Sequence, residues 1–455
     1  MAQSTQSESV VETNVVSVPV PGAVLLFSGR APQYRPVVLP RDGLLPLGRE
    51  DMGGLPVPDE KVSRQHAEVT FADGEFTVKD LGSRNGTWVD GARVEGTVTA
   101  RSGAVVRLAQ TLLVLEADLR RWLAGQVKHD DVIIGPTLQQ ALDRAVVARA
   151  TNAHLLVRGE SGAGKELVAS RYHQAAARKG PFVAVNCAAI PASVAERLFF
   201  GAVKGAYTEA KQDADGYLAA ADGGVLFLDE IAELDLQVQA KLLRALETGE
   251  YLQLGAASPR KASVHVVAAS HRDLRAAVAA NTFRSDLFYR LSQFEVLLPA
   301  LRERKEEVPW LMRHALQGLP VELHATAVEV ALLRPWPGNV RELLSETRKA
   351  AATAQGDPKG NVLRAEHLSA QAGQPVAGAP PPVTTPTRAA VSSGVKPGAP
   401  PVPSSGDPDK EAILAALAAT GNNVSAAARQ LDMHRTQLYR VMKRLGLLLP
   451  DAEES

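Results

Sequence analysis

One stretch limits what this chain can become more than any other: Gly159-Glu160-Ser161-Gly162-Ala163-Gly164-Lys165-Glu166. The apolar run Ala153-His154-Leu155-Leu156-Val157 before it reads as a buried strand, and the run from Glu166 to His173 after it reads as a helix. Strand, glycine-rich loop and helix, in that order, are the setting of a phosphate-binding loop. The glycines let the backbone curl until its amides face one point, and the helix start adds partial positive charge there. Lys165 would then reach the β- and γ-phosphates of ATP. Glu166 stands where such loops generally carry Ser or Thr for magnesium, so the loop alone is not decisive. A second stretch supplies the companion. Gly223-Gly224-Val225-Leu226-Phe227-Leu228-Asp229-Glu230 is an apolar strand ending in two carboxylates, which a buried strand rarely carries uncompensated. Asp229 would hold Mg2+ through water, and Glu230 would orient and deprotonate the attacking water. The plainer reading is a tight strand-to-helix turn, with the acids as a helix cap. It is outweighed by two motifs present together, in order and suitably spaced.

The 455 residues suggest about three domains. Fifty basic residues balance fifty acidic ones, so any nucleic-acid signal must be local. A single cysteine, Cys187, excludes an intramolecular disulfide and a cysteine-rich metal site, and fits a reducing compartment. No apolar run approaches membrane-spanning length, and the first basic residue is Arg30, so a secretory start is lacking. These features predict a cytoplasmic protein with no membrane partner.

Residues 1–21 read as a flexible tail. From 22 to 117 short β-type runs alternate with turns. Leu25 to Phe27, Val37 to Leu39, Ala67 to Phe71, Glu75 to Asp80 and Val105 to Leu108 are strand candidates. Asp73-Gly74, Asn85-Gly86 and Asp90-Gly91 are hairpin-grade turn signals. Together they predict an all-β sandwich. Three clusters within it, Leu47-Gly48-Arg49, Ser63-Arg64-Gln65-His66 and Leu81-Gly82-Ser83-Arg84-Asn85-Gly86-Thr87, resemble the forkhead-associated (FHA) family. The resemblance implies a phosphothreonine-containing protein as partner. Arg49 and Ser63 would hold the phosphate, Arg64 or Arg84 would assist, and Asn85 would clamp peptide backbone. Guanidinium forks suit phosphate oxygens. His66 and Gly86-Thr87 would hold the loops in shape.

Leu115 to Gln126 reads as a connecting helix, and 118–130 as the linker between the two domains. Between 131 and 372 helices alternate with apolar strands at Pro181 to Val185, Val225 to Leu228 and Val264 to Ala268, which predicts an α/β parallel sheet with helices on both faces. This region resembles the AAA+ ATPases that activate transcription with sigma-54, the nitrogen-regulator type. The resemblance rests on Phe182-Val183-Ala184-Val185-Asn186-Cys187-Ala188-Ala189, on Phe283-Arg284-Ser285-Asp286-Leu287-Phe288-Tyr289-Arg290-Leu291, and on Trp336-Pro337-Gly338-Asn339-Val340-Arg341-Glu342-Leu343. It implies that Asn186 restrains the catalytic glutamate, that Arg284 and Arg290 reach the ATP of a neighbouring subunit, and that Arg341, in a helical lid, senses the γ-phosphate. It also implies a homo-oligomer, from a dimer to a hexameric ring, and RNA polymerase holoenzyme with sigma-54 as partner.

Two positions depart from the family. Its sigma-contact loop reads Gly-Ala-Phe-Thr-Gly-Ala, whereas this chain has Gly205-Ala206-Tyr207-Thr208-Glu209-Ala210. Glu209 adds a charge and removes backbone freedom. The strand from Val264 ends in His271 where the family usually has Asn, so an imidazole would meet the water or phosphate. Residues 373–408 are rich in Pro, Ala, Gly, Ser and Thr and read as a disordered tether. Residues 409–449 return to helix: Asp409 to Thr420, Asn423 to Leu431, and His434 to Leu445. They resemble the Fis-type helix-turn-helix, an all-α domain that binds double-stranded DNA at an enhancer site. Its positive charge concentrates on the last helix. His434, Arg435 and Gln437 would read bases, and Arg440, Lys443 and Arg444 would meet the backbone. The whole predicts a multidomain transcription regulator. Alternatives are a regulator acting with the housekeeping sigma factor, suggested by the altered loop, and a phosphopeptide-binding scaffold with a weak or inactive ATPase.

Overall fold

In the computed structural model, residues 18–41, 43–128, 132–176, 180–206, 211–358, 360–375 and Ile413 are described. Two compact units divide the chain, Met1–Thr384 and Thr385–Ser455. The expected tether from residue 376 onward and the three expected C-terminal helices lie outside the described residues, apart from Ile413, which is helical and buried.

The first unit begins with ten strands: β1 (Gly22–Ser28), β2 (Ala31–Val38), β3 (Leu44–Leu47), β4 (Ala67–Ala72), β5 (Glu75–Asp80), β6 (Thr87–Val89), β7 (Ala92–Arg93), β8 (Thr97–Ala100), β9 (Val105–Leu108) and β10 (Thr111–Glu116). They form two antiparallel sheets, ordered β2-β1-β10-β9-β6-β7 and β3-β4-β5-β8. Leu25, Leu45, Val69, Phe76, Val78 and Leu113 meet between them. Asp73-Gly74 and Asp90-Gly91 are true two-residue hairpin turns, with all four residues at positive φ. Asn85-Gly86 is not, contrary to the sequence expectation. The strands on either side of it lie in different sheets. Asp80 shapes this crossover by accepting hydrogen bonds from the Gly82 and Ser83 amides and from the Ser83 and Thr87 hydroxyls.

The expected connecting helix also differs. Leu115 and Glu116 belong to β10, and the helix α1 is a single turn, Arg120–Leu123. Asp118 starts it by accepting from the Arg120 amide. Gly125 ends it, where a Cβ would sit 2.4 Å from the Pro136 side chain. Burial of Leu119 and Trp122 decides the path here more than helix propensity does.

The central part runs α2 (Pro136–Ala150), β11 (Leu155–Arg158), α3 (Lys165–Gln174), β12 (Phe182–Asn186), α4 (Ala192–Phe200), α5 (Tyr217–Ala220), β13 (Val225–Asp229), α6 (Leu236–Thr248), a ribbon of β14 (Glu250–Tyr251) and β15 (Arg260–Lys261), β16 (His265–Ser270), α7 (Leu274–Ala279), α8 (Ser285–Leu291) and β17 (Phe294–Leu297). The sheet is parallel throughout, in the order β12-β13-β16-β11-β17. Apolar clusters cover both faces, as continuous apolar strands require. A helical lid follows: α9 (Val308–Ala315), β18 (Glu322–Leu323), α10 (Ala325–Leu333), α11 (Asn339–Gln355) and β19 (Val362–Leu363). Among the described residues no helix is long and apolar enough to cross a membrane. Cys187 is a buried free thiol, pushed up to about 12 by burial and by Asp229 and Glu230 nearby.

His154, just before β11, illustrates how tightly this sheet is set. Its Nδ1 accepts the Val266 amide at 3.1 Å, so the ring is neutral, and burial, with Arg290 and His265 adding to it, lowers its pKa to about 4. The unfolded ring takes up a proton near pH 6.5, the folded ring only near 4, so stability falls as pH drops through that window. Between pH 7 and pH 5 this one group should cost on the order of 2 kcal/mol. Asn at position 154 keeps an acceptor and does not titrate. Thermal melts at the two pH values should show a smaller acid-induced drop for His154→Asn than for the parent.

Candidate nucleotide site

The phosphate-binding loop lies between β11 and α3. Gly164 sits at φ 103°, which an L side chain rarely adopts, and α3 begins at the next residue. Gly162 is also left-handed, and a Cβ there would meet the Gly338 carbonyl at 2.3 Å. The lid's entrance therefore rests directly on the loop. The Val340 amide donates to the Gly162 carbonyl at 3.2 Å. Glu160 is gripped by Arg302 through two bonds, at 2.7 and 3.0 Å, and by the Asn339 amide at 3.0 Å. Arg304, almost fully buried, donates to the Ala163 carbonyl at 2.9 Å and pairs with Glu307 at 3.0 Å. Glu307 in turn accepts the Gly135 amide, and Glu306 accepts the Thr137 amide, so two buried carboxylates meet the positive end of α2.

Beside the loop is a cavity of about 560 Å³. Ser161, Gly162, Ala163, Gly164, Lys165 and Glu166 line it together with Asn186, Asp229, Glu230 and Arg341. Val132, Ile133, Leu138, Leu311 and Leu344 make an apolar end suited to a flat base. Lys165 Nζ donates to the Gly159 carbonyl at 3.3 Å and pairs with Glu230 at 3.0 Å. The other Glu230 oxygen meets His271 Nδ1 at 2.6 Å. Burial pushes the Glu230 carboxyl up, but Lys165 and His271 more than offset this and hold it below the usual range. At Asp229 the balance runs the other way: burial, with Glu230 adding to it, raises its pKa despite Lys165. Glu230 itself has φ 52°, a strained setting for a side chain aimed into a cavity.

The sequence-predicted residues fall out unevenly. Asn186 reaches the cavity wall, yet its Oδ1 accepts the Ala188 amide, and the groups holding Glu230 are Lys165 and His271. Arg284 pairs with Asp286 at 2.7 Å on the surface, and Arg290 donates to the Leu246 carbonyl at 2.7 Å; neither lines the cavity of its own chain. Gly205 and Ala206 are described, but Tyr207, Thr208, Glu209 and Ala210 are not. His434, Arg435, Gln437, Arg440, Lys443 and Arg444 likewise lie outside the described residues. Arg302, Arg304 and Asn339 were missed as site residues. The available signal was the string of charges from Arg302 to Glu307, a few residues after β17.

On the sandwich, the predicted phosphate residues gather around the segment Glu60 to Ser63. Arg49 donates to the Glu60 carbonyl at 3.4 Å, the Asn85 amide donates to the Lys61 carbonyl at 2.6 Å, and Ser63 Oγ accepts the Arg84 amide at 3.2 Å. Arg64 is exposed beside Glu50. His66, fully buried, accepts the Ser63 amide and meets the Gly86 carbonyl, tying the loops together as expected.

Sequence comparison agrees with this layout. Residues 46–109 match the FHA domain, 133–297 the sigma-54 interaction domain, 302–382 the AAA+ ATPase lid domain, and 407–445 the bacterial regulatory protein, Fis family. The anaerobic nitric oxide reductase transcription regulator NorR of Aeromonas salmonicida is 34% identical over 436 residues, which span 90% of this chain and 83% of that protein. This chain belongs to the sigma-54-dependent transcription activators. NorR of Citrobacter koseri is 38% identical over 75% of this chain and 69% of its own length. The DNA-binding transcriptional regulator NtrC of Azospirillum brasilense is 43% identical over 56% of this chain and 55% of its own. The activator is thus an ATPase, with an FHA domain ahead of its motor and a Fis-type domain behind it.

Removing one arm of the grip on Glu160 should loosen the loop. Arg302→Ala is expected to weaken nucleotide binding about tenfold, the scale of a lost charged hydrogen-bond pair. Titration with a fluorescent nucleotide measures it, and unchanged affinity would mean that the clasp is structural only.

Proposed function

We propose that this activator binds enhancer DNA through its Fis-type domain, assembles into a ring, and converts ATP hydrolysis into open-complex formation by sigma-54 RNA polymerase, under phosphothreonine control through the FHA domain. The observation that carries this reading is the convergence of Lys165, Asp229, Glu230 and Arg341 on one cavity beneath the lid.

Lys165 and Glu230 neutralise each other at 3.0 Å. A γ-phosphate arriving at the loop competes for Lys165 and leaves Glu230 free to take a proton from water. His271 keeps one oxygen of Glu230 aimed while the other is released. Asp229, half-buried and raised in pKa by burial, suits a divalent cation, and it would hold Mg2+ through water. The ion would supply charge neutralisation on the phosphates. Arg341 would meet the γ-phosphate from the lid. Arg284 and Arg290, turned away from their own cavity, would serve the next protomer in the ring, which makes hydrolysis depend on assembly. Tyr207 and Thr208 would form the sigma contact.

Open complexes at a sigma-54 promoter, formed with that holoenzyme and ATP, test the reading. Lys165→Ala should abolish them. Glu230→Gln should keep nucleotide binding while turnover falls about 10²- to 10⁴-fold, the range of a lost general base. Activity confined to the housekeeping holoenzyme would favour the alternative that Glu209 suggests. Subunit sharing has its own check. Arg284→Ala and Glu230→Gln, each inactive alone, should regain part of the turnover when mixed, because mixed rings contain intact sites. No recovery would place Arg284 outside the active site.

A further inference from the structure

At β1 and β10 both faces of the six-stranded sheet are buried. Val24, Leu26, Leu112 and Val114 project from the outer face into the same apolar cluster as Val328 and Leu332 of α10. Polar contacts frame the seam. Arg107 on β9 pairs with Glu329 on α10 at 2.6 Å, their side chains only 11% and 7% exposed. The same guanidinium lies 3.7 Å over the Trp88 ring. Lys305 donates to the Gly103 carbonyl at 2.7 Å, and Arg30 pairs with Glu322. Glu329 Oε1 and Trp122 Nε1 are buried without a protein partner, so separation would return both to water. The seam is closed yet separable.

At one end it runs into the phosphate loop of the sandwich. Asp59 accepts from the Lys61 amide at 3.0 Å, the Gln110 amide at 2.7 Å and the Thr111 hydroxyl at 3.1 Å. It thereby locks the segment that holds Ser63 onto the turn between β9 and β10. In that turn Ala109 sits at φ 53°, a strained conformation for a residue with a side chain. Gln110 then crosses to the lid. Its carboxamide oxygen accepts the Ala325 amide at 3.3 Å, at the start of α10, and its NH2 donates to His324 Nε2 at 2.7 Å. His324 is neutral: burial, then Arg364, Lys61, Arg107 and Arg30 around it, lower its pKa to about 4.

Resting on the reading of the sandwich as a phosphothreonine receptor, we infer that the lid is the back wall of that receptor site: phosphopeptide binding at Arg49, Ser63 and Asn85 and docking of the lid on the sandwich reinforce each other through Asp59, Gln110 and His324. The sign follows from the contacts. Asp59 ties the segment that carries Ser63 to the turn between β9 and β10, and Gln110 of that turn is bonded to the lid. A peptide that orders the segment therefore favours the docked arrangement, and the docked lid orders the segment for the peptide. Because the coupling is reciprocal, loosening the seam weakens the peptide by the same factor. The docked lid also carries Arg341 and Asn339, so the peptide signal reaches the nucleotide loop through a single rigid body.

The test uses the full chain and a fluorescent phosphothreonine peptide library, with the unphosphorylated library as control. Gln110→Ala and Arg107→Glu should each weaken phosphopeptide binding about fivefold or more. The exchange Arg107→Glu with Glu329→Arg should recover part of that loss. Saturating phosphopeptide should shift nucleotide affinity in the parent and not in Gln110→Ala, a difference that a merely structural role would not produce. If Arg107→Glu does not fold, Gln110→Ala decides alone, since it removes only a carboxamide. Loss of binding in Arg49→Ala, with unchanged or tighter binding in the seam variants, overturns the coupling and leaves the receptor intact. Equal binding by Arg49→Ala and the parent overturns the receptor, and the coupling with it.

Discussion

Glu160 is the joint between the phosphate-binding loop and the lid. Its carboxylate belongs to the phosphate-binding loop, and both partners that grip it, Arg302 and Asn339, lie at the approach to the lid or at its last helix. Asn339 is fully buried at φ 52° and makes further bonds to the Ser161 carbonyl and the Leu301 amide. Such a setting persists only when its surroundings over-determine it. Between Gly162 and the Gly338 carbonyl there is no room for even a methyl group. Loop and α11 are therefore packed without slack.

The same lid presents its other side to the sandwich. Trp336 and Leu343, behind the loop, share one apolar cluster with Val328 of α10 and with Val24 and Leu26 of β1. The connection between sandwich and motor adds a third point of attachment. Trp122 lies in that cluster, its carbonyl accepting from the Tyr34 hydroxyl at 2.8 Å, and Val132 and Ile133, farther along the same connection, line the nucleotide cavity. Sandwich, lid and base pocket thus share a continuous set of contacts.

At the cavity opposite charges are packed closely. Three ionisable groups, Lys165, Glu230 and His271, close on one another within a half-buried space, and Asp229 stands beside them with its pKa raised. Both carboxylate oxygens of Glu230 have a partner, Lys165 on one and His271 on the other. The imidazole at 271 completes this arrangement: it is a one-sided partner that holds Glu230 Oε2 without blocking Oε1.

Sequence alone determined the local units: the glycine loop between strand and helix, the acidic strand tip, the alternating strands of the parallel sheet, and the arginine, serine and asparagine loops of the sandwich. Each is written within a few adjacent residues, where backbone geometry and charge act at short range. What it could not show was which charges go inside. Arg302-Glu303-Arg304-Lys305-Glu306-Glu307 reads as a solvated run, yet Arg304, Glu306 and Glu307 are buried, because α2, the phosphate loop and the lid converge there and supply partners from more than a hundred residues away. Likewise β1 and β10 are apolar on successive positions, a pattern open to several readings until the lid covers their second face. Nor could sequence show that Glu230 would rest against Lys165 and His271 with Asn186 turned elsewhere. Only the tertiary structure decides such matters, since the worth of a buried charge depends on partners that the chain brings together by folding.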